Sequence, residues 1–326
     1  MEFSNRKVIV VSNRLPVAIF KNESGNWEVR PGTGGLVTAL EPIVRKSNGL
    51  WIGWSGYSEN APSDKLLAGY SKKNNFKLVP VEVTEKEIAQ YYRGFSNKSI
   101  WPLFHDMLGQ FSFNPSDLNI YEKVNKKFAE KVIEYTAEND TIWVHDYQLI
   151  YVGKYLRELG IRRNLNFFLH IPFPSPDLFR RLPWSKQLLV SLLAYDLVGF
   201  QTLRDHRNFI HCATSLIKGV EILSRHRNHT VLRYGDRINK AGHFPISIDF
   251  NDFAGRAGSE EVAKAAWYLH ENYEQRQLIL GIDRLDYTKG IPERFLAFER
   301  TLEKYPDLRH QVSLLQIVVP RRTMVP

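Results

Sequence analysis

The 326-residue sequence has a single cysteine, Cys212, which excludes an internal disulfide and any cysteine-rich metal site. Long hydrophobic runs are missing as well. Stretches such as Val8–Val11 fall far short of the roughly 20 apolar residues that cross a bilayer. No apolar segment with a small-residue cleavage site opens the chain, and there are no repeats or low-complexity tracts. Three chemical signatures are absent: a Gly-x-Ser-x-Gly elbow, a Gly-x-x-x-x-Gly-Lys-Ser/Thr loop and metal-ligand spacing. These absences argue against a membrane-embedded protein, a serine hydrolase of that type, a P-loop nucleotidase and a metal enzyme. They predict a cytoplasmic protein.

What is present is a globular composition, 43% hydrophobic and 24% charged, with a formal charge of +9. That excess suits an anionic partner. The densest cluster, Ser224–Asn228 with His229, Arg233, Arg237 and Lys240, lacks interleaved aromatics for base stacking. It is expected to be a solvated loop or the rim of an anionic cleft. Neither nucleic acid nor a membrane is expected as partner, and the sequence leaves open whether copies assemble into a homo-oligomer.

Apolar runs alternate with amphipathic segments, which predicts an α/β fold with parallel strands. Expected strands are Lys7–Ser12, Leu50–Trp54, Phe76–Val81, Thr141–Val144, Asn166–His170, Leu197–Phe200, Gln277–Ile282 and Val312–Val319. Expected helices are Leu36–Arg45, Tyr121–Thr136, Leu149–Leu159, Ser185–Tyr195, Leu203–Lys218, Glu260–Tyr273 and Pro292–Lys304. Within Tyr121–Thr136, Val124, Phe128, Val132 and Ile133 recur at helical spacing among Lys and Glu. A hairpin turn is expected at Ser24–Trp27, and Phe244–Asp249 reads as a connection between domains 1–246 and 247–326. Only about one and a half βα units follow that connection, so the second domain is expected to be incomplete, with an apolar sheet face left exposed.

In open α/β sheets ligands bind beyond the carboxyl ends of strands, and polar clusters gather there in this sequence. Ser12–Pro16 places Arg14 after the first strand, where it is either a phosphate ligand or an exposed structural arginine. Gly32–Gly35 opens a helix, as an anion-binding loop or a plain tight turn. Tyr91, Tyr92 and Trp101–His105 lie in a loop-rich stretch where aromatics either stack on sugar rings or pack in the core. His145-Asp146 and His170 each end a short apolar strand and could hold sugar hydroxyls or move a proton. Arg284 and Lys289 stand on a turn after the strand from Gln277, where two cations can clamp a diphosphate.

Taken in order, the motifs resemble a known family. They are Ser12–Pro16, Gly34–Leu36, Gly53–Gly56, Tyr92–Asn97, Trp101-Pro102, His145–Tyr147, His170–Pro174, Gly199–Thr202 and Arg284–Gly290. This series is similar to the trehalose-6-phosphate synthase family of retaining glycosyltransferases and spans almost the whole chain. The resemblance implies a GT-B fold, with two Rossmann-like domains facing across a cleft, the first binding acceptor and the second nucleotide sugar. It implies transfer of glucose from UDP-glucose to glucose 6-phosphate with retention, giving trehalose 6-phosphate, without a metal or other cofactor. By the same resemblance, Arg14, Tyr92, Trp101, Asp146 and Arg322 surround the acceptor. Gly34 and Gly35 lie by the donor phosphates, His170 lies by the donor sugar, and Arg284 and Lys289 clamp its diphosphate. Arg284, Lys289 and His170 are thereby the catalytic candidates.

Two departures mark this chain. His105-Asp106-Met107 follows Trp101-Pro102 where family members often carry a tyrosine after the histidine. Glycerol 3-phosphate, the acceptor of glucosylglycerol-phosphate synthase, therefore stays open beside glucose 6-phosphate. Family members also continue past Pro326, and Arg321 and Met324 replace the residues expected around Arg322. The 326-residue chain is accordingly expected to lack appreciable transferase activity by itself. A non-catalytic phosphosugar-binding protein is the reading of another class.

Overall fold

A computed structural model describes residues 6–32, 34–57, 63–162, 164–273 and 277–319. The chain divides into two compact units, Met1–Ile246 and Ser247–Pro326.

The first unit is built on β1 (Val8–Arg14), a hairpin of β2 (Val17–Lys21) and β3 (Trp27–Pro31), then β4 (Leu50–Trp54), β5 (Lys77–Pro80), β6 (Thr141–His145), β7 (Leu165–Leu169) and β8 (Leu197–Phe200). A meander of β9 (Val220–Arg225), β10 (His229–Tyr234) and β11 (Arg237–His243) completes it. The main sheet has nine strands in the order β5-β4-β1-β6-β7-β8-β11-β10-β9. From β5 through β11 neighbouring strands run parallel, and β10 is antiparallel to both its neighbours. Parallel strands covered on both faces read as unbroken apolar runs, and Val8–Val11 is buried throughout. The chain leaves β1 toward β4 and β5, then returns to β6 on the other side of β1. The order of strands thus reverses between β1 and β6, and a crevice opens at their carboxyl ends.

Behind β6 the backbone is irregular, a 3-10 turn at Tyr147–Leu149 followed by the helix Val152–Glu158. Buried polar side chains satisfy it. The Tyr121 hydroxyl donates to the Tyr147 carbonyl at 2.7 Å and accepts from the Ile150 amide at 3.1 Å. Asn125 donates to the Tyr121 and Gln148 carbonyls and accepts from the Tyr151 amide. The Tyr195 hydroxyl accepts from the Gly153 amide at 2.8 Å.

Two expectations are corrected here. The stretch with Tyr91, Tyr92 and Trp101 is helical rather than loop-rich. Ile88–Ile100 is a π-helix and Trp101–Phe104 continues it as α-helix. Bonding from i to i+5 moves apolar positions off the 3.6-residue period, so the sequence pattern does not announce the element. The chain enters it through a turn of helix, Glu85–Glu87, closed by a capping box of Thr84 and Glu87, and Glu87 is further held by Lys127 at 2.7 Å and Lys123 at 3.3 Å. Secondly, residues 224–240 are not a solvated loop. Thr230, Leu232, Asn239 and Ala241 point inward from β10 and β11 while Arg233 and Lys240 face outward, and part-buried Arg237 donates to the Leu193 and Ala194 carbonyls. The helices Ser63–Asn74 and Phe250–Ala257 add to those expected.

In the second unit, β12 (Gln277–Arg284) and β13 (Val312–Val319) pair in parallel, joined by the helix Ile291–Lys304. Leu280 and Ile282 are 58% and 61% exposed on β12. Among the described residues no helix is long and apolar enough to cross a membrane.

Tyr121→Phe should lower stability by about 1–3 kcal/mol, because it strands a buried amide and a buried carbonyl behind β6. A fall in the urea midpoint at unchanged m-value checks this; an unchanged midpoint contradicts it.

Candidate active site

Three adjacent parallel strands deliver polar residues to the crevice. Arg14 ends β1, His145 ends β6 with Asp146 next, and His170 follows β7. Register carries this through, since β1 pairs Val11 with Val144 and β6 pairs His145 with Phe168.

At the end of β1 the guanidinium of Arg14 lies 4.0 Å from the centre of the Trp54 ring, a cation–π arrangement that fixes where its charge sits. Gly56 makes room for it. That residue has φ +87°, and a Cβ there would collide with Arg14 Nη1. Asn13 Oδ1 accepts from the buried Tyr91 hydroxyl at 2.9 Å, which ties the π-helix to the end of β1. Tyr91 is thereby engaged in the structure, whereas its neighbour Tyr92 is half-buried. Trp101 lies with its ring centre 5.5 Å from that of Tyr147, whose hydroxyl donates to Asn97 Oδ1 at 2.8 Å. On the other side of Trp101 is His105, 4.1 Å between ring centres, with Nδ1 2.8 Å from the Trp101 carbonyl.

Asp146 sits at φ 74°, ψ 167°, a region that essentially only glycine occupies without strain. Its carboxylate accepts from the Tyr147 amide at 3.0 Å and the His170 amide at 3.2 Å, joining the ends of β6 and β7. Burial raises its pKa to about 6 despite those two hydrogen bonds, which pull it down. The side chains also bridge, with His145 Nδ1 3.0 Å from His170 Nε2. Burial lowers the pKa of His170 to about 4, and burial together with His170 holds His145 well below its ordinary value. Both imidazoles are neutral near pH 7 and share one proton between facing nitrogens. A neutral His170 can orient a hydroxyl but contributes no cation.

Gly34 and Gly35 start the helix Gly35–Lys46, which has no acidic residue in its first turn. A Cβ at either would meet nothing within 4 Å, so their backbone is open to a ligand. In the second unit Arg284 ends β12 and Lys289 lies in the short 3-10 turn Tyr287–Lys289. Asp286 shapes this turn by accepting from the Thr288 amide and hydroxyl, and Gly290 supplies the left-handed residue, φ 60°, before the next helix. Arg322, like Thr33, lies outside the described residues.

The structure brings Arg14, Tyr92, Trp101, Asp146 and His170 to one end of one sheet. Electrostatic coupling agrees, since buried Tyr91 senses Tyr92, Arg14 and Asp146. The motifs Ser12–Pro16, Gly53–Gly56 and His145–Tyr147 contained Asn13, Trp54 and Tyr147, but sequence reasoning gave these residues no role and did not anticipate the pairing of His145 with His170.

Because the folded-state pKa of Asp146 lies above that of an unfolded aspartate, this group favours the fold most below about pH 3.9. That contribution is lost as pH rises through about 6. Carboxyl ¹³C titration should place Asp146 near 6, and Asp146→Asn should melt no lower than the parent at pH 8. A titration near 4, or a clearly destabilised Asn variant, would contradict the geometry.

Comparison with known proteins follows the same lines. The sequence profile of glycosyltransferase family 20 matches residues 6–326. The trehalose-6-phosphate synthase of Mycolicibacterium vanbaalenii is 39% identical over 324 residues, 97% of this chain and 65% of that protein. The UDP-forming alpha,alpha-trehalose-phosphate synthase A of Dictyostelium discoideum is 37% identical over 320 residues, 98% of this chain and 42% of that protein. This chain therefore spans less than two thirds of the length of either relative. A Burkholderia xenovorans alpha,alpha-trehalose-phosphate synthase in complex with glucose-6-phosphate matches with a TM-score of 0.82 at 31% identity, covering 98% of this chain and 67% of that one. An E. coli structure bound with UDP-2-fluoro glucose matches with a TM-score of 0.82 at 32% identity, covering 98% and 66%. The α/β fold is theirs, of the GT-B class expected from the resemblance. On these grounds the chain belongs to glycosyltransferase family 20.

Proposed function

We propose that this chain carries the acceptor site and the donor-diphosphate residues of an enzyme that transfers glucose from UDP-glucose to glucose 6-phosphate. The product is trehalose 6-phosphate, with retention. One observation supports this above others: Arg14, Asp146 and His170 end three adjacent parallel strands beside the point where strand order reverses.

In this reading Met1–Ile246 binds the acceptor. Arg14, held against the Trp54 ring at the end of β1, pairs with its phosphate, and Tyr92 donates a further hydrogen bond. Trp101 presents an apolar wall to the sugar. Asp146, ionised above about pH 6, accepts from sugar hydroxyls. Gly34 and Gly35 offer backbone amides to donor phosphates, and neutral His170 orients the donor glucose. Arg284 and Lys289 of Ser247–Pro326 oppose the charge that builds on the diphosphate, and Arg322 adds to the acceptor phosphate. The bond from glucose C1 to the diphosphate oxygen breaks and UDP leaves with the electron pair. The acceptor hydroxyl oxygen bonds to C1 from the same face, and its proton passes to the departing phosphate. This course requires no protein nucleophile, metal or other cofactor. A cytoplasmic setting accords with the lone buried thiol, Cys212.

Stacking of His105 on Trp101, with its ring bound back to the Trp101 carbonyl, keeps glycerol 3-phosphate as a second acceptor to be tried.

Calorimetry on this chain should show glucose 6-phosphate binding that Arg14→Gln weakens by about 10-fold or more. Absence of binding, or indifference to the substitution, would sink the acceptor assignment. UDP release is best assayed on this chain and on a chimera carrying the C-terminal third of the Mycolicibacterium relative. The chimera should turn over with glucose 6-phosphate in preference to glycerol 3-phosphate, and this chain alone should not. In the chimera Arg284→Ala or Lys289→Ala should each cost about 100- to 1,000-fold in kcat. Binding without turnover in the chimera would leave the non-catalytic phosphosugar binder.

A further inference from the structure

The sheet carries a second basic recess, beyond β8 in strand order and away from Arg14, Asp146 and His170. The helix Leu203–Leu216 brings His206, Arg207, His211 and Thr214 along one side, and Arg225 of β9 and Thr230 of β10 close the other. The recess has a volume of about 210 Å³, below the roughly 300–1,000 Å³ of sites for drug-sized ligands. Its size suits a small ion or a phosphate group.

No carboxylate lines it. Asp205, the neighbouring acid on that helix, is buried and engaged by the Thr202 hydroxyl at 2.6 Å and the Phe173 amide at 3.1 Å. Glu221 pairs instead with Arg233. Neither Arg207 nor Arg225 has an ion-pair partner among the described residues. His206 is only 6% exposed, yet neither of its ring nitrogens has a hydrogen-bond partner among the described residues. Leaving buried polar atoms unpaired costs stability and calls for an explanation. Although His206 and His243 stack at 6.3 Å and His226 and His229 at 4.4 Å, no group of three His, Cys, Asp or Glu side chains among the described residues is arranged to hold a metal ion.

We propose that this recess is a second anion site, distinct from the acceptor site, which takes a phosphate group between Arg207, Arg225 and the buried His206. The charge balance agrees. Burial first, then His243, Arg225, Arg207 and His229, hold the pKa of His206 down to about 4. A bound anion opposes that field, favours the imidazolium and gives a ring nitrogen an acceptor. The basic cluster around Arg225 thereby gains a role that transfer chemistry does not give it. The ligand is either free phosphate or the phosphate of a sugar phosphate.

The test is histidine ring NMR on the whole chain, with His206 assigned through His206→Gln. Inorganic phosphate should shift the His206 signals saturably and raise its pKa. Arg207→Gln and Arg225→Gln, both surface changes that spare the fold, should each weaken half-saturation by about 10-fold or more. The response should persist in the Arg14→Gln protein, which separates this site from the proposed acceptor site. A lower half-saturation with glucose 6-phosphate than with phosphate identifies a phosphosugar, and equal values identify the phosphate group alone. No shift, an equal shift with chloride at matched ionic strength, a shift indifferent to both arginine variants, or one lost with Arg14→Gln would each overturn the proposal.

Discussion

Parallel pairing of β1 with β6, while the chain departs from each in opposite directions, is the constraint on which the first unit turns. β1 hands the chain toward β4, and β6 hands it toward β7. The connections diverge, so Asn13 and Arg14 on one side and His145 and Asp146 on the other come to the crevice expected where strand order reverses. The same pairing buries both strands so completely that Val8–Val11, Ile142 and Val144 admit no polar side chain. Polar chemistry is therefore confined to the strand ends, and the third contributor, His170, arrives through the register of β7.

Holding that opening in shape falls to side chains behind it. Tyr121, Asn125 and Tyr195 bind the irregular backbone that follows Asp146. With both flanks fixed, the residue at 146 accepts a conformation it would otherwise leave, at a strain of roughly 1–3 kcal/mol. The bridge between His145 and His170 works alongside, joining the same two strands through side chains while burial keeps both rings uncharged. The geometry of these strand ends thus depends on buried tyrosine and asparagine side chains that bond to backbone.

Much of this was legible in the sequence, for physical reasons. Leu50–Trp54, Leu197–Phe200 and Val312–Val319 were read with the bounds they have, because each is a short apolar run between polar or turn-forming residues. The strand-end residues Arg14, Asp146 and His170 were legible because polar groups that break off an apolar run must lie at its end. The π-helix was not, since its bonding removes the periodicity by which helices are recognised. Nor was the β9–β11 meander, where outward Arg and Lys masked the alternation of Thr230 and Leu232. Adjacent tyrosines could not be told apart either. Only the fold shows that Tyr91 is engaged by Asn13 while Tyr92 remains half-buried. The backbone angle of Asp146 left no trace in the residues around it.

That angle has an evolutionary consequence. Aspartate and glycine codons differ by one transition at the second base, and glycine is the residue for which φ 74°, ψ 167° carries no steric penalty. A single nucleotide change therefore removes the carboxylate and relaxes the chain at once. Libraries of this protein selected only for heat resistance would set that relief against the Tyr147 and His170 amides, which lose the acceptor that joins the ends of β6 and β7.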